Sequence, residues 1–351
     1  ILFWTPEQQV AGYRNIDRIY PTRLIAASPA PVELPYRKVE LGEARLSAGD
    51  VTMTVDEYFE RQNVAGLLVI KDGHIAYERY GLGNTEDSRW ISFSVTKSVV
   101  SMLVGAAVRD GYIDNVDEAV SDYLPRLKGT PYDDSSIRNL LQMASGVEWD
   151  ETYADPDSDV NRATYQTLAL YDYLAKKPRA AAPGEQFNYN TAETNLVGTL
   201  LRSAVGNNLS TYLEEKIWWP FGMEAETYWT LTEQGGGDFG GCCISATLRD
   251  FGRLGLFALN EGRRGEKSVM ADGWMDASTT PSPAYDGYGY QWWLSGAGSY
   301  RAVGIFGQGI CIHPEENVVI ALQSARSEAS ADQDWALQGA LCHATALYLQ
   351  D

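Results

Sequence analysis

Strand-forming sequence falls near the two ends of this chain, and that placement limits the folds open to it. The first clear signal is Val64-Ala65-Gly66-Leu67-Leu68-Val69-Ile70, then Lys71-Asp72-Gly73, then His74-Ile75-Ala76-Tyr77-Glu78-Arg79-Tyr80. Two β-rich runs around Asp-Gly predict a hairpin, because these residues accept the positive φ angles of a tight turn. Strand character returns at Tyr288–Leu294, Arg301–Ile305, Gly309–His313 and Val318–Gln323. Helical patterns fill the interval. From Ser94 to about Arg109, Val95, Val99, Met102, Leu103 and Ala106 form an apolar stripe. Further helical stretches are Ser136–Ala144, Thr164–Lys176, Ala192–Ala204 and Leu209–Trp218, and Asp332–Leu349 closes the chain. The pattern predicts an α/β fold in which one sheet draws strands from both ends. Residues 1–110 and 251–351 would form that α/β lobe, with the proline-rich residues 1–50 as an extended arm. Residues 111–250 would form an inserted, mostly helical lobe.

Charge removes several functions. Against 28 Lys and Arg stand 47 Asp and Glu in 351 residues, so the net charge is 28 − 47 = −19. A chain so short of cations does not neutralise a phosphate backbone or dock on anionic lipid, so neither nucleic acid nor membrane is an expected partner. No run of 18 apolar residues occurs, and a soluble protein is expected. Cys242, Cys243, Cys311 and Cys342 are too few and scattered for a disulfide scaffold, and no CxxC pair supports structural zinc. The chain opens Ile1-Leu2-Phe3-Trp4 with no methionine before Met53. A trimmed N-terminus is expected, which leaves cytoplasmic, periplasmic and secreted locations open.

The available chemistry is narrow. Only His74, His313 and His343 are present, no G-x-S-x-G elbow exists, and HExxH is absent. Gly235-Gly236-Gly237 is not followed by Lys-Ser or Lys-Thr, and Gly81-Leu82-Gly83 lacks the third glycine of a dinucleotide site. Asp155-x-Asp157-x-Asp159 begins like a calcium loop, but Val160 and Gln166 replace its glycine and twelfth-position glutamate. No metal or cofactor is expected. What remains is Ser94-Val95-Thr96-Lys97. At i and i+3 of a helix a hydroxyl and an amine share a face. A desolvated lysine can then take the serine proton, and Phe93, Val95, Val99 and Val100 supply an apolar flank.

Other segments join this one in order. Leu140-Leu141-Gln142-Met143-Ala144-Ser145-Gly146-Val147, Pro183-Gly184-Glu185-Gln186-Phe187-Asn188-Tyr189, Gly240-Gly241 through Thr247-Leu248-Arg249-Asp250 to Arg253, and Gly304, Gly307 and Gln308 follow. With Ser94–Lys97 they resemble the motifs of the serine β-lactamase-like hydrolases: class C β-lactamases, D-amino-acid peptidases and family VIII carboxylesterases. The resemblance covers roughly residues 60–325. It implies a β-lactamase/penicillin-binding-protein-like fold, an antiparallel sheet flanked by helices with an inserted helical lobe. Two departures stand out. Tyr189-Asn190-Thr191 carries a hydroxyl where the family places an orienting amide, and Ala302-Val303-Gly304 replaces a Lys-Thr-Gly or His-Thr-Gly box. Both are closer to the 6-aminohexanoate-dimer (nylon-oligomer) hydrolases and related esterases.

The resemblance implies that Ser94 attacks a carbonyl and Lys97 takes or relays its proton. Tyr189 would protonate the leaving group and then, with an adjacent ammonium favouring phenolate, help activate water. The backbone N–H groups of Ser94 and Ile305 would form the oxyanion hole. The loop Glu148–Asp159 carries six acids, and Tyr153 is similar to a tyrosine that contacts the scissile amide in nylon-oligomer hydrolases. Trp149, Tyr153, Thr191 and Gly304 are the expected substrate contacts, with Trp149, Tyr153 and the acids receiving an amine-bearing substrate. A serine hydrolase of small-molecule esters or amides is expected, working through an acyl-enzyme. The alternatives are a D-stereospecific peptidase or weak β-lactamase, and a catalytically silent ligand-binding relative. The oligomeric state is left open.

Overall fold

The computed structural model describes residues 1–329 and 331–350. Its central sheet is antiparallel and has six strands, in the order Trp293–Gly296, Ser299–Val303, Gly309–His313, Val318–Ser324, Val64–Lys71 and His74–Tyr80. The two ends of the chain meet where Val318 pairs with Lys71 and Leu322 with Leu67. Asp72 and Gly73 both have positive φ, 50° and 76°, as the two-residue turn of the hairpin requires.

Each face of the sheet is covered by a helix. Leu67, Val69, Ile320 and Leu322 pack with Leu337 and Leu341 of the C-terminal helix Asp332–Tyr348. Cys311 and Cys342 are bridged on this side, tying the helix to the strand Gly309–His313. Leu68, Ile70, Ile310 and Val319 pack on the other side with Phe251, Leu254 and Phe257 of the helix Leu248–Leu259. That helix approaches closely because Gly252 and Gly255 face the sheet. A Cβ on either would lie 2.6 Å from Leu68 Cδ2 or 2.4 Å from Val319 Cγ1.

The helix Val95–Asp110 runs through the interior and is buried on every side from Val95 to Ala107. The apolar stripe in its sequence therefore understated its burial. It stops at Gly111, whose φ of 77° is the left-handed conformation that terminates helices. Beside it packs Thr191–Val205.

Three features depart from the sequence expectation. Residues 1–50 are not simply an extended arm, because Pro6–Tyr13 is helical, started by a capping box between Thr5 and Gln8 with Pro6 in the first turn. The segment Tyr288–Leu294 is a strand only from Trp293, since Gln291 adopts a φ of 62°. A second sheet joins Thr22–Ile25, Thr227–Thr230, Ile244–Thr247 and Arg89–Ile91 in that order, all antiparallel. Two of its strands fall within the stretch expected to be mostly helical. Among the described residues no helix is long and apolar enough to cross a membrane.

Candidate active site

The small sheet delivers the serine. Arg89–Ile91 leads into Ser92 and Phe93, and the Ile244 N–H donates to Ser92 Oγ at 2.8 Å, locking this turn to the neighbouring strand. Phe93 has a φ of 45°, a conformation that costs a non-glycine residue about 1–3 kcal/mol. Its ring is held between Tyr13 and Phe306, with centroids at 5.1 and 5.2 Å. The packed ring fixes the bend that presents Ser94 at the start of the helix.

Lys97 is 1% exposed, and its Nζ has three neighbours: Ser94 Oγ at 2.9 Å, Thr191 Oγ1 at 3.1 Å and the Gly241 carbonyl at 2.8 Å. The carbonyl can only accept. The Thr191 hydroxyl donates to Glu151 Oε1, so it too accepts from the amine. A neutral amine has two protons and one lone pair. With both protons used, its lone pair is directed at the Ser94 hydroxyl. Burial lowers the Lys97 pKa to about 8, with the Glu151 charge pulling weakly the other way. The neutral form is thus accessible near physiological pH.

Tyr189 lies across the cleft, its ring centroid 5.2 Å from Lys97 Nζ and stacked on Trp293 at 5.7 Å. Burial pushes its phenol well above the usual tyrosine range, and the adjacent Ser94 hydroxyl offsets only part of this. The expected phenolate is therefore disfavoured, and Tyr189 is suited to giving a proton rather than holding a charge. Glu151 binds the loop Glu148–Asp159 to this centre. It accepts from the Trp149 indole, Tyr153 Oη at 2.8 Å, the Thr191 N–H at 3.0 Å and the Thr191 hydroxyl.

Two chambers adjoin the site, and Ser94 lines the smaller of them. This smaller chamber, of about 300 Å³, includes Ser94, Phe93, Val160, Leu231, Phe239 and Ile305 in its wall. A wider one of about 670 Å³ includes Glu151, Tyr189, Trp293, Arg301, Ile305 and Trp335. Tyr153 and Ile305 line both. The backbone N–H groups of Ser94 and Ile305 make no hydrogen bond to another described group, so both are free to receive an oxyanion.

Ser94, Lys97, Tyr189, Tyr153 and Ile305 are thus brought together; of the other expected contacts, Thr191 lines the smaller chamber, and Trp149 and Gly304 line neither. The Thr191 hydroxyl is taken up by Lys97 and Glu151. Trp149 is 5% exposed, donates to Glu151 and packs against Tyr173, lining neither chamber. Gly304 lets two segments approach, since a Cβ there would lie 2.6 Å from the Ser92 carbonyl. Of the acids, Asp159 is bonded by Lys177 at 2.7 Å and by Tyr173, Glu151 lines the wide chamber, and Glu148, Asp150, Asp155 and Asp157 are exposed. A cation is nevertheless near, because Arg301, one residue before Ala302, lines the wide chamber and donates to the Trp335 carbonyl at 3.4 Å.

Sequence reasoning missed Glu151 among six neighbouring acids, and it missed Trp293 and Gln291. Gln291 ties together the elements around the site. Its carbonyl accepts from Ser98 at 2.6 Å, its Oε1 accepts from Thr194 at 2.8 Å, and its Nε2 donates to the carbonyls of Leu140 and Leu141. The only signal for Trp293 was its aromatic density, shared with Tyr288, Tyr290 and Trp292.

A helix-covered antiparallel sheet with a serine and lysine one helical turn apart defines a serine hydrolase of the β-lactamase and penicillin-binding-protein fold. The Beta-lactamase family model matches residues 52–342, and the chain belongs to that family. The 6-aminohexanoate-dimer hydrolase of Paenarthrobacter ureafaciens is 26% identical over 345 residues, covering 89% of this chain and 84% of that protein. A Beta-lactamase of Pseudomonas fluorescens is 30% identical over 201 residues, 53% of each. Among solved structures, a Bacillus anthracis protein assigned by name to the 6-aminohexanoate-dimer hydrolases superposes with a TM-score of 0.87. It shares 21% identity over 97% of this chain and 94% of that one.

Proposed function

We propose that this hydrolase cleaves carboxylic esters and amides through an acyl-enzyme on Ser94. The observation that carries the reading is the buried Lys97 amine, whose Nζ lies 2.9 Å from Ser94 Oγ. In its neutral form, with its two protons given to Thr191 and the Gly241 carbonyl, its lone pair faces the Ser94 hydroxyl. As Ser94 Oγ bonds to the substrate carbonyl carbon, its proton passes to Lys97. The carbonyl oxygen takes the negative charge and is held by the N–H groups of Ser94 and Ile305. Tyr189 gives its proton to the leaving alcohol or amine as the carbon–heteroatom bond breaks, and recovers one from Lys97. Water then attacks the acyl-enzyme, its proton passing through Tyr189 to the neutral Lys97, and Ser94 leaves with a proton returned.

Ser94→Ala is expected to lower p-nitrophenyl butyrate turnover at least about 10³-fold, because residues that act as a unit fail almost completely when one is removed. Circular dichroism should show an unchanged fold. Retention of most of the rate by the folded variant overturns the assignment.

A further inference from the structure

The two chambers share Tyr153 and Ile305, but Ser94 lines only the smaller one, and they differ in chemistry in a way that orients the substrate. No charged side chain lines the smaller chamber, whose wall is mostly Ile, Leu, Val and aromatic residues with a few hydroxyls. The wide chamber carries Glu151, Arg301 and Asp332. Tyr189 lines the wide chamber and not the smaller one. A leaving group must depart beside the acid that protonates it. Resting on the reading of Ser94 as the acylated residue and Tyr189 as the leaving-group acid, we propose that the smaller, apolar chamber is the acyl site. It takes a neutral aliphatic or aryl acyl group of medium length, and the polar half of the substrate leaves through the wide chamber.

The physics favours this class over a charged one. An ammonium on the acyl chain would enter a cavity without a counter-charge, a strongly unfavourable transfer. A methylene entering it is released from water and gains in proportion to apolar area. At about 300 Å³ the chamber sits at the small end of ligand pockets, so the gain should stop once the chain fills it. The acyl half of a 6-aminohexanoate dimer carries an amine, so this chain should discriminate against that compound despite its likeness to hydrolases named for it.

The test holds the leaving group constant. Across p-nitrophenyl acetate, butyrate, hexanoate and longer esters, kcat/KM should rise about threefold to fourfold per methylene to hexanoate and then level or fall. The 6-aminohexanoate ester should lie at least about 100-fold below the hexanoate, since its ammonium is desolvated unpaired. Leu231→Trp should lower the hexanoate-to-acetate ratio at least about tenfold by overfilling the chamber. Phe239→Ala, a change in the opposite direction, should move the optimum to a longer chain, so a folding failure in one variant leaves the other to decide. A flat chain-length profile overturns the proposal, as does equal use of the aminohexanoyl ester. If acyl-chain selectivity ignores both variants while alkyl acetates respond to them, the chamber binds the leaving group and the orientation is wrong. Loss of selectivity with Ser94 still essential refutes the acyl site alone. Hydrolysis independent of Ser94 refutes the mechanism beneath it.

Discussion

Lys97 and Glu193 are both fully buried ionisable groups on facing helices, and they have come to opposite uses. Burial lowers the Lys97 pKa to about 8 and raises that of Glu193 to about 8, so desolvation shifts each toward its neutral form. Lys97 faces the Ser94 hydroxyl at 2.9 Å. Glu193 is sealed among Ser145, Tyr132 at 3.3 Å and Asn190 at 3.3 Å, and it lines neither chamber. A perturbed pKa therefore marks a functional group here only where the group also touches the reacting atoms. Glu193 instead joins the segment around Ser145 to the start of the helix Thr191–Val205, from below the site.

The largest expected contrast is in turnover. Lys97→Ala should reduce p-nitrophenyl butyrate hydrolysis at least about 10³-fold, whereas Glu193→Gln should leave it near the original rate. Equal losses in the two variants would dissolve the distinction. The pH profile sharpens it. Because the active form of Lys97 is neutral, kcat/KM should climb about tenfold per pH unit below an apparent pKa near 8 and flatten above it. A profile that is level from pH 6 to 9 would exclude Lys97 as the titrating base.

Stability should report Glu193 separately. Its native pKa lies above the unfolded value, so the native state holds more protons between about pH 4.5 and 8, and stability falls as pH rises through that window. Lys97 gives the opposite slope between about pH 8 and 10.5, where the unfolded chain holds the extra proton. Urea titrations of Glu193→Gln should show the lower window flattened. An unchanged slope would mean that Glu193 is ionised in the native state.

The smallest expected effect lies at Tyr153, whose hydroxyl donates to Glu151 at 2.8 Å between the two chambers. An amine leaves poorly and needs help as its nitrogen becomes tetrahedral, while p-nitrophenolate does not. Tyr153→Phe should cut hydrolysis of a hexanoyl anilide about tenfold, roughly 1.4 kcal/mol, and barely alter the matching ester. Equal losses on both substrates would reduce Tyr153 to loop packing.

The residues proposed to react were legible in the sequence because their spacing is chemical. Ser94 and Lys97 must be one helical turn apart, and Tyr189 follows a Pro-Gly turn that can be recognised by itself. The hairpin was equally plain from Asp72-Gly73. The four-residue strands Thr227–Thr230 and Ile244–Thr247 were not, since segments so short carry too little alternation to outweigh neighbouring helical patterns. Glu151 was hidden for another reason. Its difference from Glu148 or Asp155 lies in the groups folded around it, Trp149, Tyr153 and Thr191, and not in local sequence. Arg301 was overlooked because attention to the three-residue box Ala302-Val303-Gly304 stopped one residue short of a cation that the strand places in the same cleft.

Acylation of one serine, Ser94, is the proposed step most directly open to measurement. Intact-mass analysis after treatment with a fluorophosphonate should show a single adduct, mapped by peptide digestion to Ser94. The adduct should be absent in Ser94→Ala and should form far more slowly in Lys97→Ala. Folded protein that takes up no reagent, or an adduct on another residue, would contradict it.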